Sequence, residues 1–167
     1  MSEQKPILYL ICGCSGVGKT HFATSFAKEK NIVYLGADDF YAKINGSELI
    51  RTNKFKVWQA LFSAIHELEN EGKSCVVDTN GLSAASRDEF LNWFPSFEHH
   101  LIYIEAPEEL RQSNNLKRER QVPQEAMTAM FFKAEVPNWT TLDKRWLSLT
   151  KIYNQNNEQY IVAQYGV

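Results

Sequence analysis

The sequence predicts a three-layer α/β/α fold around a mostly parallel central sheet. Three observations carry that expectation. Apolar runs of strand length alternate with segments of helical periodicity. The first run, Ile7-Leu8-Tyr9-Leu10-Ile11-Cys12, is apolar throughout, as a strand buried on both faces requires. A glycine-rich segment follows it directly and opens into a helix. Strand–helix alternation implies parallel pairing, and a parallel sheet needs helices on both faces.

The elements follow in order. Residues 20–30 read as a helix with Phe22, Ala23 and Phe26 inward. Residues 32–35 form a short second strand ending at Gly36. Phe55, Trp58, Leu61, Phe62, Ile65 and Leu68 recur at helical spacing, so residues 53–71 form a long amphipathic helix. Gly72 sits where a helix stop belongs. Residues 74–77 are a third strand with Asp78 at its carboxyl end. Residues 87–94 read as a short helix stopped by Pro95, and residues 100–105 as a fourth strand. Ala106-Pro107 opens a helix over residues 108–116, with proline and acids at its start. Pro123 opens another over residues 124–133. Residues 142–149 are expected to be helical and residues 159–164 to form a fifth strand. No internal repeat or low-complexity tract interrupts this pattern.

The 167 residues argue for one domain over residues 1–167, large enough to bury its own core. A hydrophobic share of 44% fits a globular protein. Lys and Arg total 18 against 20 Asp and Glu, a net charge of −2, so a polyanion site has to be a local basic patch. The apolar run at residues 7–12 is too short to span a membrane or to act as an export signal. No membrane association is expected, and the cytoplasm is the expected compartment. Cys12, Cys14 and Cys75 show no metal-type grouping and read as buried free thiols.

Gly13-Cys14-Ser15-Gly16-Val17-Gly18-Lys19-Thr20 satisfies G-x-x-x-x-G-K-[ST] in full, between a buried strand and a helix. Its glycines let the backbone turn tightly and approach phosphate oxygens. Successive N–H groups then converge at the positive end of the helix dipole. Lys19 adds a charge on the β- and γ-phosphates, and Thr20 supplies a hydroxyl to magnesium. This is a P-loop for an NTP, with ATP and Mg²⁺ as the expected cofactors. A GTPase would carry N-K-x-D, which Asn53-Lys54-Phe55-Lys56 lacks, and a motor ATPase would place Glu after Asp78, where Thr79-Asn80 stand. Small size and an acid after strand two point to a kinase. In a parallel sheet Gly13, Asp38 and Asp78 all follow strand carboxyl ends and fall together. Of Asp38 and Asp39, one suits a base for the acceptor hydroxyl and the other an N-cap; Asp38 is assigned the base.

These stretches resemble the P-loop 5′-hydroxyl polynucleotide kinase family, the kinase module of phage and animal end-healing enzymes. The resemblance runs from about residue 7 to about residue 130. It rests on the P-loop, on Asp38-Asp39-Phe40, on Val76-Val77-Asp78-Thr79-Asn80, and on an Arg-rich stretch from Arg111 through Lys117-Arg118-Glu119-Arg120 to Val122-Pro123. It implies a P-loop kinase fold with an Arg-containing helical lid over about residues 107–133. It implies a general base at Asp38, an acceptor site at Asp38, Asp78, Thr79 and Asn80, and magnesium held by Thr20 and Asp78. It also implies a nucleic-acid end as acceptor. The sequence departs from the family in two places. Tyr41 stands where the family carries an acceptor-phosphate arginine, with Lys43 or Arg51 as its replacement. The lid spacing is shortened, so Arg118 and Arg120 both match the catalytic lid arginine, with Arg118 favoured. No phosphatase motif is present.

The lid also reads without the family: an arginine delivered onto the γ-phosphate stabilises transition-state charge, and a closed lid excludes water. His99-His100 read as solvated or edge residues rather than ligands, and His21 as structural. Glu67, Glu69 and Glu71 read as a solvated face, and Trp58, Phe62, Phe90, Trp93 and Phe94 as core. The sequence thus reads as an ATP-dependent kinase for a polynucleotide 5′-hydroxyl. A small-molecule kinase and a non-catalytic ATP-binding module are the alternatives, and no protein partner is indicated.

Overall fold

A computed structural model describes residues 4–166. β1 (Ile7–Cys12) leads through the glycine loop to α1 (Lys19–Lys30), followed by β2 (Val33–Gly36), α2 (Ala37–Asn45) and α3 (Lys54–Asn70). β3 (Cys75–Asp78), α4 (Ala84–Trp93), β4 (Glu98–Glu105), α5 (Glu108–Leu116) and α6 (Gln124–Lys133) come next, and β5 (Trp146–Gln155) and β6 (Glu158–Gly166) close the chain. The six strands form one sheet in the order β2-β3-β1-β4-β5-β6. All neighbours pair parallel except β6, which returns antiparallel on β5.

Period-two alternation divides the core into two layers. Leu8, Leu10 and Cys12 of β1 pack with Leu61 and Ile65 of α3 and with Phe90 of α4. Ile11 of β1 faces the other way, with Ala23 and Ala27 of α1 and with Val76 and Ile102. Helices therefore cover both faces of the sheet, the three-layer arrangement expected for parallel strands buried on both sides. Among the described residues, no helix is long and apolar enough to cross a membrane. Cys12, Cys14 and Cys75 are buried and free, and burial pushes the Cys12 and Cys75 thiols up to about 12.

Several local expectations change. Residues 142–149 are not a helix: Trp146 opens β5, the longest strand, and residues 159–164 belong to the sixth strand. Trp146, Ser148, Leu149, Thr150, Ile152 and Asn154 are all buried, and pairing on β4 overrides any helical spacing in that stretch. Neither Asp38 nor Asp39 caps α2; the N-cap is Gly36, and both acids lie in the first turn, where the helix dipole favours them. α4 starts earlier than expected because Ser83 caps it, its hydroxyl accepting from Ser86 N–H at 3.1 Å. Phe55 is 78% exposed and Trp93 57% exposed, so neither is core. His99 is buried within β4 and bonded through Nε2 to the Phe94 carbonyl at 2.8 Å, so it is not a solvated edge residue. Glu69 accepts from Ser96 N–H at 3.0 Å and is not part of a freely solvated face.

The two-sided burial predicts a sharp contrast along α3. Leu61→Ala is expected to cost about 3 kcal/mol in urea unfolding, since its side chain is enclosed. Phe55→Ala is expected to change stability by less than about 0.5 kcal/mol. Equal costs at the two positions contradict the assigned helix face.

Candidate active site

Strand register assembles the site. Ile11 of β1 lies beside Asp78 of β3, and Gly36 of β2 lies on the other side of Asp78. The carboxyl ends of three strands therefore meet, and the chain after each contributes to one cleft. Gly13 N–H donates to the Asn80 carbonyl at 3.0 Å, which ties the glycine loop to the segment after β3.

Packing holds the loop itself. Gly16 has φ +85, and an added Cβ would meet the Arg111 carbonyl oxygen of α5 at 2.5 Å. Arg111 is buried, with its guanidinium over the Phe131 ring at 4.6 Å, and it acts as the anchor of α5 against the loop. Asn114 on the same helix donates to the Gly16 carbonyl at 2.8 Å. Ser15 donates to the Met130 sulfur at 3.3 Å, which brings α6 over the loop as well. The Arg-rich stretch and the helix after it thus sit on the P-loop, where a lid is expected.

Lys19 Nζ donates to the Cys14 carbonyl at 2.9 Å, so the ammonium lies across its own loop. Burial lowers its pKa, while Asp78 and Asp38 pull the other way. A cation short of solvent gains most from a new anionic partner. Thr20 Oγ1 donates to Asp78 Oδ2 at 2.9 Å, and the Tyr34 hydroxyl donates to the same oxygen at 3.0 Å. Burial beside the Asp78 carboxylate holds the Tyr34 hydroxyl well above the usual phenol range, so it stays protonated as a donor. The Thr20 hydroxyl and the Asp78 carboxylate are adjacent hard oxygen donors, which fits magnesium shared with substrate phosphates. Among the described residues, no group of three His, Cys, Asp or Glu side chains is placed to hold a metal without a substrate.

A cavity of about 320 Å³ runs along the loop, bordered by Lys19, Thr20, Asp38, Asp78 and Arg118. A second, of about 450 Å³, is bordered by Asp38, Tyr41, Arg51, Trp58, Asn80 and Lys133. Arg118 sits beside the first. Arg120 instead donates to the Gly46 carbonyl at 3.1 Å and lies 3.5 Å from Glu48, at the far end of α2. Arg51 Nη2 donates to Asp38 Oδ1 at 2.8 Å, and its guanidinium stacks on the Tyr41 ring at 4.3 Å. Asn45 holds the Arg51 loop by donating to the Ile50 and Thr52 carbonyls at 2.7 and 2.8 Å. Arg51, not Lys43, therefore borders the second cavity beside Tyr41.

A family model described as an AAA domain matches residues 8–137, well over half of the chain. The chain belongs to this AAA-domain family. It is 29% identical over 146 residues to the L-seryl-tRNA(Sec) kinase of Methanococcus maripaludis, a match over 78% of this chain and 53% of that protein. The chain thus spans about half the length of that curated relative. Among solved structures, one from the PezAT toxin–antitoxin system of Streptococcus pneumoniae aligns with a TM-score of 0.73 at 18% identity, over 98% of this chain and 72% of that one. One from the Pnkp1/Rnl/Hen1 RNA repair complex aligns with a TM-score of 0.69 at 18% identity, over 79% and 45%. Likenesses this remote establish the fold of this AAA domain.

Tyr34, Arg51, Asn114 and Met130 were not singled out for the site by sequence reasoning, apart from Arg51 as one of two replacements for a missing arginine. Each acts through a partner far along the chain, and only the pattern of strand ends hints at Tyr34. The acids of the site also repel one another. The Asp39 carboxyl is held above its ordinary value of 3.8, first by desolvation and then by Asp38, Asp78 and Glu48. A raised carboxyl binds its proton more tightly in the folded chain, so stability is lost as pH rises from 3.8 through the folded value. Asp39→Asn is expected to raise Tm at pH 7 by about 1–2 °C, a gain kept small by solvent screening. The gain should vanish below pH 3.8, as scanning calorimetry at both pH values will show.

Proposed function

We propose that this AAA domain is an ATP-dependent kinase that moves the γ-phosphoryl group to a hydroxyl, with a polynucleotide 5′-end as acceptor. The observation that carries this reading is that Asp38, Thr79 and Asn80 border both cavities. A carboxylate at the junction of a phosphate cradle and a second chamber is where a transferase needs its base. In this reading Gly13, Cys14, Ser15, Gly16, Val17, Gly18, Lys19 and Thr20 hold the triphosphate. Thr20 and Asp78 hold magnesium, which neutralises charge on the β- and γ-phosphates when bound. Lys19 and Arg118 stabilise the charge that develops on the transferred group, with Arg120 the other lid cation. Asp38 takes the hydroxyl proton as the new O–P bond forms and the β–γ bridging bond breaks, releasing ADP. Thr79 and Asn80 orient the acceptor.

The acceptor assignment rests on the second cavity. Arg51, Lys54 and Lys133 border it, although the chain as a whole is acidic, and Trp58 adds an aromatic ring. Cations beside aromatic faces suit a phosphodiester next to a base. Arg51 supplies a fork-shaped cation where Tyr41 leaves none, and it stays bonded to Asp38 until an acceptor phosphate draws the guanidinium away. The relatives named for seryl-tRNA and for RNA repair agree with an acceptor attached to nucleic acid. A small-molecule hydroxyl is the second reading, favoured by Tyr41 and by the acidic net charge.

Transfer of labelled phosphate to 5′-hydroxyl oligonucleotides, set against free nucleosides and sugars, separates the two. Oligonucleotides are expected to be preferred, and Asp38→Asn is expected to lower kcat by about a hundredfold or more. Full activity in that variant removes Asp38 from its role. Preference for unphosphorylated nucleosides or sugars moves the reading to a small-molecule kinase.

A further inference from the structure

α1 covers only part of its own side of the sheet. It packs over β1, β2 and β3. Beyond it, the same face of β4, β5 and β6 is the floor of a groove. The strand period brings His100 and Ile102 of β4, Ser148, Thr150 and Ile152 of β5, and Ile161 of β6 onto that floor. Among the described residues, α1 is the helix that borders the groove, and the chain after α6 continues in strands. The space between helix and floor is about 490 Å³, against about 320 Å³ along the glycine loop. A concavity of this size holds a small organic molecule.

Aromatic rings make its wall. Tyr9 of β1 meets Phe26 edge-on with ring centres 4.9 Å apart, and Phe26 stacks on Phe22 at 5.5 Å. Lys30, at the end of α1, holds its ammonium 5.0 Å from the Phe26 ring centre and 5.7 Å from that of Tyr9. Among the described residues Lys30 forms no salt bridge. The floor offers a few neutral polar groups. His100 Nδ1 is hydrogen-bonded to Ser148 Oγ at 2.6 Å, and burial lowers the His100 pKa, so the imidazole is uncharged at neutral pH. Glu98 is the acid whose charge reaches His100, and it does not border the groove. At the other end Gln159 donates through Nε2 to the Gly18 carbonyl at 3.3 Å, and Asn154 Nδ2 donates to the Val17 carbonyl at 2.9 Å. The β5–β6 hairpin thus rests on the glycine loop and stands between the two spaces, and no residue borders both.

We propose that this groove is a second ligand site, for a flat aromatic molecule carrying one anionic group, with its rings against Phe22 and Phe26 and its anion at the Lys30 ammonium. Ring walls favour a planar aromatic guest, which meets them stacked or edge-on. The ammonium favours an anion at one end, since a charged pair is stronger than a neutral contact. A neutral apolar guest gains nothing from Lys30. A polyphosphate finds one cation here and many donors on the glycine loop, so the two sites select different molecules. The inference is independent of the kinase reading.

Two fluorescent probes test ring and charge separately. Anilinonaphthalene sulfonate is an aromatic anion, and phenylnaphthylamine is the same ring system without the sulfonate. Titration of the full chain is expected to show saturable binding of the sulfonate at one site per chain. Lys30→Met is expected to weaken the sulfonate about tenfold and to leave phenylnaphthylamine unchanged. Ile161→Glu places an acid at the rim and is expected to weaken the sulfonate about tenfold or more. Lys30 and Ile161 are both exposed, so the fold is retained. Phe132→Ala alters a separate exposed apolar surface on α6 and is expected to change neither affinity. No saturable binding by the wild type overturns the site. So does unchanged sulfonate affinity in Lys30→Met, equal weakening of both probes by that variant, or loss of binding through Phe132→Ala.

Discussion

One carboxylate oxygen, Asp78 Oδ2, holds the site together. It accepts from the Thr20 hydroxyl and from the Tyr34 hydroxyl, and so joins the end of β3 to the first turn of α1 and to β2. The register of three strands brings these groups within 3.0 Å, and the two bonds then fix the end of β3 between the glycine loop and the second cavity. Asp78 is itself largely buried, and both donors meet it at one oxygen. Loss of either donor leaves a buried carboxylate short of partners, a state that costs more than the bond itself contributes.

Around that point the site is arranged as a balance of charge. Asp38, Asp39 and Asp78 gather at the ends of two strands, with Lys19 and Arg118 across the cavity and Arg51 on Asp38. Desolvation and then the neighbouring acids raise the Asp39 carboxyl, and two of those acids, Asp78 and Asp38, support the Lys19 charge against its burial. Under the proposed function, a polyphosphate would enter toward Lys19 and Arg118, and Thr20 and Asp78 would hold the magnesium ion. The two lid arginines are separated by their partners: Arg118 borders the nucleotide cavity, whereas Arg120 is drawn to Gly46 and Glu48.

Much of the fold was legible because its signals are local. The run from Ile7 to Cys12, the glycine loop and the proline starts of α5 and α6 each declare themselves within a few residues. The sites of Asp38 and Asp78 followed from strand ends alone. β5 was misread because Leu142, Trp146 and Leu149 have helical spacing, while the pairing of Trp146 with His99 that decides the matter lies 47 residues away. Arg51 was legible only as one of two replacements, since its stacking on Tyr41 depends on how Asn45 holds the loop between α2 and α3. The hairpin against Gly18 was not legible, because nothing in the glycine motif announces what rests upon it.

The central claim is that a triphosphate is held by the P-loop amides and by the Lys19 ammonium. Calorimetric titration of Mg-ATP into the wild-type chain and into Lys19→Met tests it most directly, because the methionine keeps the stem and removes only the charge. Micromolar binding in the wild type, weakened by about a hundredfold or more in the variant, is the predicted result. Equal affinity in the two proteins, or no binding in the wild type, contradicts the account.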